Sequence, residues 1–285
     1  MLTDGAWGTE FMAQGLNPGE CPDAWNLKSP ERVLAVARAY VEAGSRIILT
    51  NTFGANRIAL GRHGFADRAR EISRAGVELS KRAADGRAAV FASIGPSGKL
   101  LAMGEVAESE LREAFIEQAG VLAGAGSDAL VIETMSDLEE AKLAVAAARA
   151  TGLPVVACMA FDSGKTKTQT MMGTTAEAAA RVLTEAGADV IGANCGQGIG
   201  NFLEIYRRLT SATGRPIWLK PNAGEPQLSA NQTVYATTPK EFAEIAISLV
   251  EAGAAFIGGC CGTTPDFILA LSKMLEERAR KLKCD

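Results

Sequence analysis

The chain has 285 residues, of which 47% are hydrophobic, and its formal net charge is −4. The basic residues are scattered, which argues against a nucleic-acid-binding protein, and no run reaches the ~20 consecutive apolar residues that a membrane span needs. The first ten residues lack a basic-then-apolar signal pattern, so we expect a soluble, cytoplasmic protein.

Eight short apolar runs alternate with Ala-rich amphipathic segments along the whole chain. Each run is nearly continuous in its hydrophobicity, as expected for parallel strands buried on both faces. Eight strand–helix units of about 35 residues each predict a (β/α)8 TIM barrel, a single domain over residues 1–285, in preference to an open sheet. The predicted strands are 1–6, 46–53, 88–95, 128–134, 154–161, 189–195, 216–224 and 255–261.

The segments between these strands have the features of helices that stop before the next strand. Clear examples are residues 29–44, 108–126 and 238–253, and several of these segments close with Ala-Gly, a frequent helix end. Residues 224–237, after the seventh predicted strand, read as a long loop, and loops of that length are often functional.

Polar side chains and cysteines recur where the predicted strands end. In a barrel, the active site lies at the C-terminal ends of the strands, so these residues should share one rim. Three of the six cysteines are among them. The candidates in chain order are Asp4, Gly5, Ala6, Thr50, Glu133, Cys195, Asn222, Cys260 and Cys261.

The three rim cysteines predict a zinc site. Zn²⁺ prefers four tetrahedral ligands, and a catalytic site keeps one position open. Neighbouring side chains on a regular strand point to opposite faces, so Cys260 and Cys261 can reach one ion only if the backbone leaves strand geometry. The glycines on both sides of this pair allow that departure.

Other interpretations of "GGCCGTTP" at 258–265 remain open at this point. A phosphate site would use the exposed amides of the glycines and the start of a helix at Thr264 and Pro265. A disulfide between neighbouring cysteines would be strained and is disfavoured in the cytosol. Simple packing is the third alternative.

The other cysteines and the single histidine have simpler interpretations. Cys158 lies within a predicted strand and is expected in the core, while Cys21 and Cys284 lie in a loop and the C-terminal tail, without a predicted role. His63 is expected at the surface. One histidine cannot build a metal site from several imidazoles.

Five motifs together resemble one known family. They are "DGAWGTEF" at 4–11, "TNTFGAN" at 50–56, "GANC" at 192–195, "PNAG" at 221–224 and "GGCCGTTP" at 258–265. The sequence resembles the homocysteine S-methyltransferase family nearly end to end. Within it, the sequence is most similar to the homocysteine-binding module of cobalamin-dependent methionine synthases.

The resemblance implies a function for each candidate residue. It implies that Cys195, Cys260 and Cys261 hold Zn²⁺ in a (β/α)8 barrel. It also implies that Asp4 and Glu133 receive the amino group of homocysteine, while the backbone at Gly5, Ala6 and Thr50 holds the carboxylate. We further predict that Asn222 occupies the fourth metal position until the substrate displaces it.

The same resemblance favours methylcobalamin as the methyl donor. The chain has no Asp-x-His-x-x-Gly corrinoid ligand motif, so the donor is expected on a separate corrinoid protein, unless the chain is a fragment of a larger one. Three alternatives stay open. They are a transfer from S-methylmethionine or betaine, a non-catalytic zinc-binding or corrinoid-docking subunit, and a phosphate-ligand enzyme such as a lyase.

Overall fold

A parallel sheet of seven strands forms the centre of the protein. The computed structural model describes residues 1–225, 227–229 and 232–281. The strands are β1 Ile47–Ile48, β2 Ala89–Ile94, β3 Ala129–Met135, β4 Val155–Met159, β5 Val190–Cys195, β6 Ile217–Pro221 and β9 Phe256–Ile257. They follow one another in this order along the sheet, with every neighbouring pair parallel.

Helices follow the strands and cover the outer face of the sheet. They are α1 Gly8–Ala13, α2 Trp25–Lys28, α3 Pro30–Glu42, α4 Arg57–Gly61, α5 Ala69–Ala84, α6 Glu108–Gly124, α7 Leu138–Arg149, α8 Ala176–Glu185, α9 Phe202–Thr210, α10 Pro239–Glu251 and α11 Pro265–Lys281. Within the described ranges, none of the helices combines the length and the hydrophobicity of a membrane span.

The predicted Ala-Gly helix ends are confirmed. Gly44, Gly187 and Gly253 have φ values of 104°, 99° and 111°, in the left-handed region that glycine enters without steric cost. The chain therefore turns sharply from each helix into the strand that follows.

The predicted first strand does not form as a strand. Residues 1–6 make one parallel bridge, between Leu2 and Ile257. The segment nevertheless bonds to both edges of the sheet, because Thr3 N donates to Ile257 O (2.8 Å) and Arg46 N donates to Leu2 O (2.9 Å). The segment thus contacts both sheet edges without forming a strand ladder.

Two further predicted strands are much shorter than expected. The strand predicted over 46–53 is reduced to β1, because the amide of Leu49 donates to the carboxylate of Asp4 instead of to a neighbouring strand. The strand predicted over 255–261 is reduced to β9. After it, the amide of Gly259 donates to Asp4 O (3.0 Å), and the chain turns at Cys261 and Gly262. Both departures lie beside the rim cysteines.

The long loop predicted at 224–237 contains regular structure. Its described part includes an antiparallel hairpin of β7 (Gln227–Ser229) and β8 (Gln232–Val234). The hairpin follows β6 and lies at the same end of the sheet as the rim cysteines.

The interior of the sheet changes from apolar to polar along the strands. A buried cluster of Ile47, Leu49, Val131, Val156, Cys158 and Trp218 fills the centre, with the Trp218 ring stacked on Phe91 at 6.0 Å between centroids. Residues two positions further along a strand share its face. Counted from Phe91, Val131 and Trp218, those positions on β2, β3 and β6 are Ser93, Glu133 and Lys220. The three side chains form a polar layer directly above the apolar one.

Candidate functional site

The structure brings three cysteine sulfurs together at the C-terminal end of the sheet. Cys195 ends β5, and Cys260 and Cys261 lie in the turn after β9. Their Sγ atoms all lie within 4.8 Å of one another. The two elements flank β6 in the sheet.

The backbone at both elements departs from strand geometry to bring the sulfurs together. Cys195 has a φ of 64°, which is uncommon for a residue with a side chain and is typical of functional sites. Gly262 has a φ of 79°, and a Cβ there would lie 2.3 Å from the ring of Tyr235. The turn is pinned by Cys260 N, which donates to Pro221 O (2.8 Å).

The same turn leaves few amides for a phosphate. Five of the six amides between residues 258 and 263 donate within the protein: those of Gly258, Gly259, Cys260, Gly262 and Thr263. A phosphate cradle needs such amides free. The helix start predicted at Thr264 and Pro265 is confirmed as the beginning of α11, but the turn before it favours the sulfur site.

The contacts among the three thiols favour a negative charge on Cys195. Hydrogen bonds from Cys260 and Cys261 lower the pKa of Cys195 to about 3. The same contact with Cys195 raises the pKa of Cys261 to about 12 and that of Cys260 well above its usual range. A cation with affinity for sulfur is the ligand that such a cluster favours.

Two buried amides hold the sulfurs in place. Asn222 Nδ2 donates to Cys195 Sγ (3.6 Å) and to Gly196 O (2.5 Å), while its Oδ1 is buried without a hydrogen-bond partner in the described part of the chain. Asn194 Nδ2 donates to Thr134 Oγ1 (2.7 Å) and contacts Cys260 Sγ at 3.9 Å. Asn194 stands at the end of a predicted strand beside Cys195, but the sequence assigned it no role.

Below the sulfurs lies a buried ion pair. Lys220 donates to Asp4 Oδ1, and the two side chains are 2% and 0% exposed. Asp4 Oδ2 also accepts from Trp7 Nε1 (2.8 Å) and Leu49 N (2.7 Å). Burial alone would lower the pKa of Lys220, but the charges of Asp4 and Glu133 outweigh it and raise the pKa.

Glu133 completes the charged layer. Its Oε1 accepts from Ser93 Oγ, and its side chain is buried. Burial raises the pKa of Glu133, an effect that the charge of Lys220 partly offsets.

The sulfurs and the charged layer face one cavity of about 360 Å³. The amide of Ala6 donates to Thr263 O (3.0 Å), so it is engaged, whereas the amides of Gly5 and Thr50 have no partner among the described residues. Asp4 and Asn222 are buried outside the lining. The predicted site residues that line the cavity are Gly5, Ala6, Thr50, Glu133, Cys195, Cys260 and Cys261.

Sequence reasoning missed Lys220, Ser93 and Trp7. A signal for Lys220 was present, because a lysine two residues after Trp218 in an otherwise apolar strand must share the face of that tryptophan. Ser93 and Trp7 carry no such signal and are found only through their bonds to Glu133 and Asp4.

The remaining sequence predictions have simple outcomes. Cys158 is 1% exposed and belongs to the core, as predicted, and His63 is exposed. Cys21 lies in a loop but is buried. The five cysteines in the described ranges are free thiols, and Cys284 lies outside those ranges.

Comparisons with known proteins agree with the site. A family model described as homocysteine S-methyltransferase matches residues 1–275. Methionine synthase of Mycobacterium tuberculosis (strain ATCC 25618 / H37Rv) is 34% identical over 287 residues, and that of Mycobacterium leprae (strain TN) is 33% identical over the same length. Each match covers 94% of this chain and 24% of the relative, so the chain spans about a quarter of these curated relatives.

A solved structure has the same fold. The metallated form of the homocysteine methyltransferase MmuM from Escherichia coli matches with a TM-score of 0.80 and 23% identity. The match covers 96% of each chain.

Proposed function

The chain belongs to the homocysteine S-methyltransferase family, and we propose that it transfers a methyl group to the sulfur of homocysteine, giving methionine, with Zn²⁺ as its cofactor. The observation that carries the proposal is the convergence of three cysteine sulfurs on the wall of a cavity large enough for an amino acid.

The residues present fit Zn²⁺. Two sulfurs bound about 2.3 Å from one tetrahedral Zn²⁺ lie about 3.8 Å apart, which the spacing of Cys195, Cys260 and Cys261 allows. Thiolates select Zn²⁺ over hard cations such as Mg²⁺. The metallated form of the Escherichia coli MmuM structure gives further support for a metal in this fold.

The cofactor would solve the main chemical difficulty of the reaction. A free thiol with a pKa near ~8.5 is a few per cent thiolate at neutral pH. When bound, Zn²⁺ supplies a coordinating thiol in its deprotonated form. The new S–CH₃ bond then forms with an electron pair of the thiolate as the bond between the methyl group and its donor breaks. The electron pair of the broken bond stays with the donor.

The protein supplies orientation and charge for the amino acid. We propose that the buried carboxylates of Asp4 and Glu133 make this side of the site acidic, and that Glu133, which lines the cavity, contacts the ammonium group. The free amides of Gly5 and Thr50 are suited to the carboxylate group, while the amide of Ala6 is already engaged with Thr263 O.

Asn222 is proposed as the fourth metal ligand before homocysteine arrives. Its Nδ2 already lies 3.6 Å from Cys195 Sγ, and its buried Oδ1 lacks a partner among the described residues. Asn222→Ala should therefore weaken zinc affinity and change the zinc-edge absorption spectrum of the homocysteine-free protein. An unaltered spectrum together with unaltered homocysteine affinity would rule the assignment out.

The methyl donor is proposed to be methylcobalamin on a separate corrinoid protein. The methionine synthase relatives at 34% and 33% identity support this choice over S-methylmethionine or betaine.

We also propose that residues 1–6 close the seven-stranded sheet into a (β/α)8 barrel that forms one domain. Bonds from Leu2 and Thr3 to both sheet edges support the closure.

A donor panel tests the proposed function. The zinc-loaded chain and homocysteine are incubated separately with methylcobalamin, S-methylmethionine and betaine, each with and without a corrinoid protein. Methionine should form with methylcobalamin. Turnover with another donor would replace the donor assignment, and turnover with none, despite a corrinoid partner, would favour a docking subunit.

A further inference from the structure

Lys220 is a buried cation with unused hydrogen-bonding capacity. It is 2% exposed, lines the cavity, and makes one hydrogen bond, to Asp4 Oδ1. A lysine ammonium has three N–H donors. Two of them therefore have no partner among the described residues, although buried donors are almost always paired.

The two carboxylates near Lys220 differ in how many hydrogen bonds they already accept. Asp4 already receives three donors, from Lys220, Trp7 and Leu49, and is 0% exposed. Glu133 lines the cavity, and only its Oε1 has a partner in the described part of the chain, namely Ser93 Oγ. Glu133 is therefore the carboxylate with room for a ligand's ammonium group.

The charged layer has groups suited to both ionic groups of an amino acid. Asp4 and Lys220 neutralise each other, which leaves one negative charge on Glu133. A bound ammonium beside Glu133 compensates that charge, and a bound carboxylate needs donors of its own. Lys220, which has unused N–H groups, and Gly5 and Thr50, whose amides have no partner among the described residues, line the same cavity.

We propose that Lys220 binds the α-carboxylate of homocysteine, together with the amides of Gly5 and Thr50, while Glu133 binds the ammonium group. This inference rests on the proposed function. Lys220 then determines specificity: the site accepts thiols that carry a carboxylate and discriminates against those that lack one.

The alternative is that Lys220 serves only as the counter-ion of Asp4. In that case its loss would damage the site for every thiol alike. Binding at the carboxylate instead makes the loss selective, and selectivity is a readout that a purely structural role does not change.

The test compares three thiols on the zinc-loaded protein by titration calorimetry. Homocysteine is compared with 3-aminopropanethiol, which lacks the carboxylate, and with 4-sulfanylbutanoate, which lacks the amine. The variants are Lys220→Met and, as a control for loss of an exposed lysine, Lys142→Met on α7. If Lys220→Met does not fold, the Asp4→Asn/Lys220→Met double variant replaces it, since that variant leaves neither charge unpaired.

The wild-type chain should bind homocysteine more tightly than 3-aminopropanethiol. Lys220→Met should reduce this preference by about 10- to 100-fold, the contribution of a hydrogen bond to a charged group, and Lys142→Met should keep it. Equal weakening of all three thiols, or an unchanged preference, would overturn the inference and leave the proposed function standing. If the zinc-loaded wild type binds none of the three thiols, the proposed function itself fails, and this inference fails with it.

Discussion

Asp4→Asn is the substitution whose effect on the free energy of unfolding follows most directly from the contacts of the charged layer. Asparagine has nearly the same shape, but it removes the charge that balances Lys220. Both oxygens of Asp4 accept hydrogen bonds, Oδ1 from Lys220 and Oδ2 from Trp7 and Leu49. Whichever way the new amide is turned, its NH₂ group faces at least one donor.

The expected cost is large because the pair is fully buried. Removing one partner of a buried ion pair costs about 3–5 kcal/mol, because the other charge stays buried without compensation. Removing both charges together avoids that penalty. The Asp4→Asn/Lys220→Met double variant should therefore lose less stability than the two single variants combined, with a coupling free energy above about 1 kcal/mol.

The assay is urea unfolding of the metal-free chain at pH 7, followed by circular dichroism and fluorescence. The metal-free form is used because a ligand that binds the folded state adds to its apparent stability. Asp67→Asn, at an exposed position, is the control and should change the free energy of unfolding by less than about 0.5 kcal/mol. A loss below about 1 kcal/mol for Asp4→Asn, or strict additivity in the double variant, would show that Asp4 and Lys220 do not stabilise the fold as a buried ion pair.

Three further predictions concern the sulfurs, the turn that carries them and the cavity wall. Cys260→Ser should abolish stoichiometric zinc binding, whereas Cys158→Ser, in the apolar core, should retain it. Zinc is measured by plasma mass spectrometry after dialysis, and equal retention in both variants would contradict the metal assignment. Gly262→Ala should lower the melting temperature, because the new Cβ would collide with Tyr235. The φ of 79° adds a backbone cost of about 1–2 kcal/mol for a residue with a side chain. An unchanged melting temperature would be inconsistent with the turn. Burial raises the pKa of Asp23 to about 6 from 3.8, so the folded state binds the Asp23 proton more tightly than the unfolded state does. The free energy of unfolding should therefore fall by up to about 3 kcal/mol as the pH rises from about 4 to 6. Asp23→Asn should flatten that part of the urea-unfolding profile, and a slope equal to that of the wild type would exclude Asp23 as its source.

Much of the site could be predicted because parallel strands bring their C-terminal ends to one rim. The spacing of Cys195 from Cys260 and Cys261 placed them two strands apart, and the structure brings their sulfurs together. Hydrophobic runs identified the buried strands because burial on both faces requires apolar side chains.

Strand lengths could not be predicted from the same runs. Apolar character does not tell whether a backbone amide bonds to a neighbouring strand or to a side chain. Leu49 donates to the carboxylate of Asp4, and its strand ends there. Lys220 was overlooked for a related reason, since its place in the layer above Trp218 shows only when the alternation of faces is followed residue by residue.

We propose that three cysteines of this chain hold a zinc ion that takes the sulfur of homocysteine as a further ligand. Zinc-edge X-ray absorption of the zinc-loaded protein, recorded before and after the addition of homocysteine, counts the sulfur ligands in both states. We expect three sulfur ligands before the addition and four after it. A sulfur count that does not change when homocysteine is bound, or one below three at the start, would rule this zinc site out.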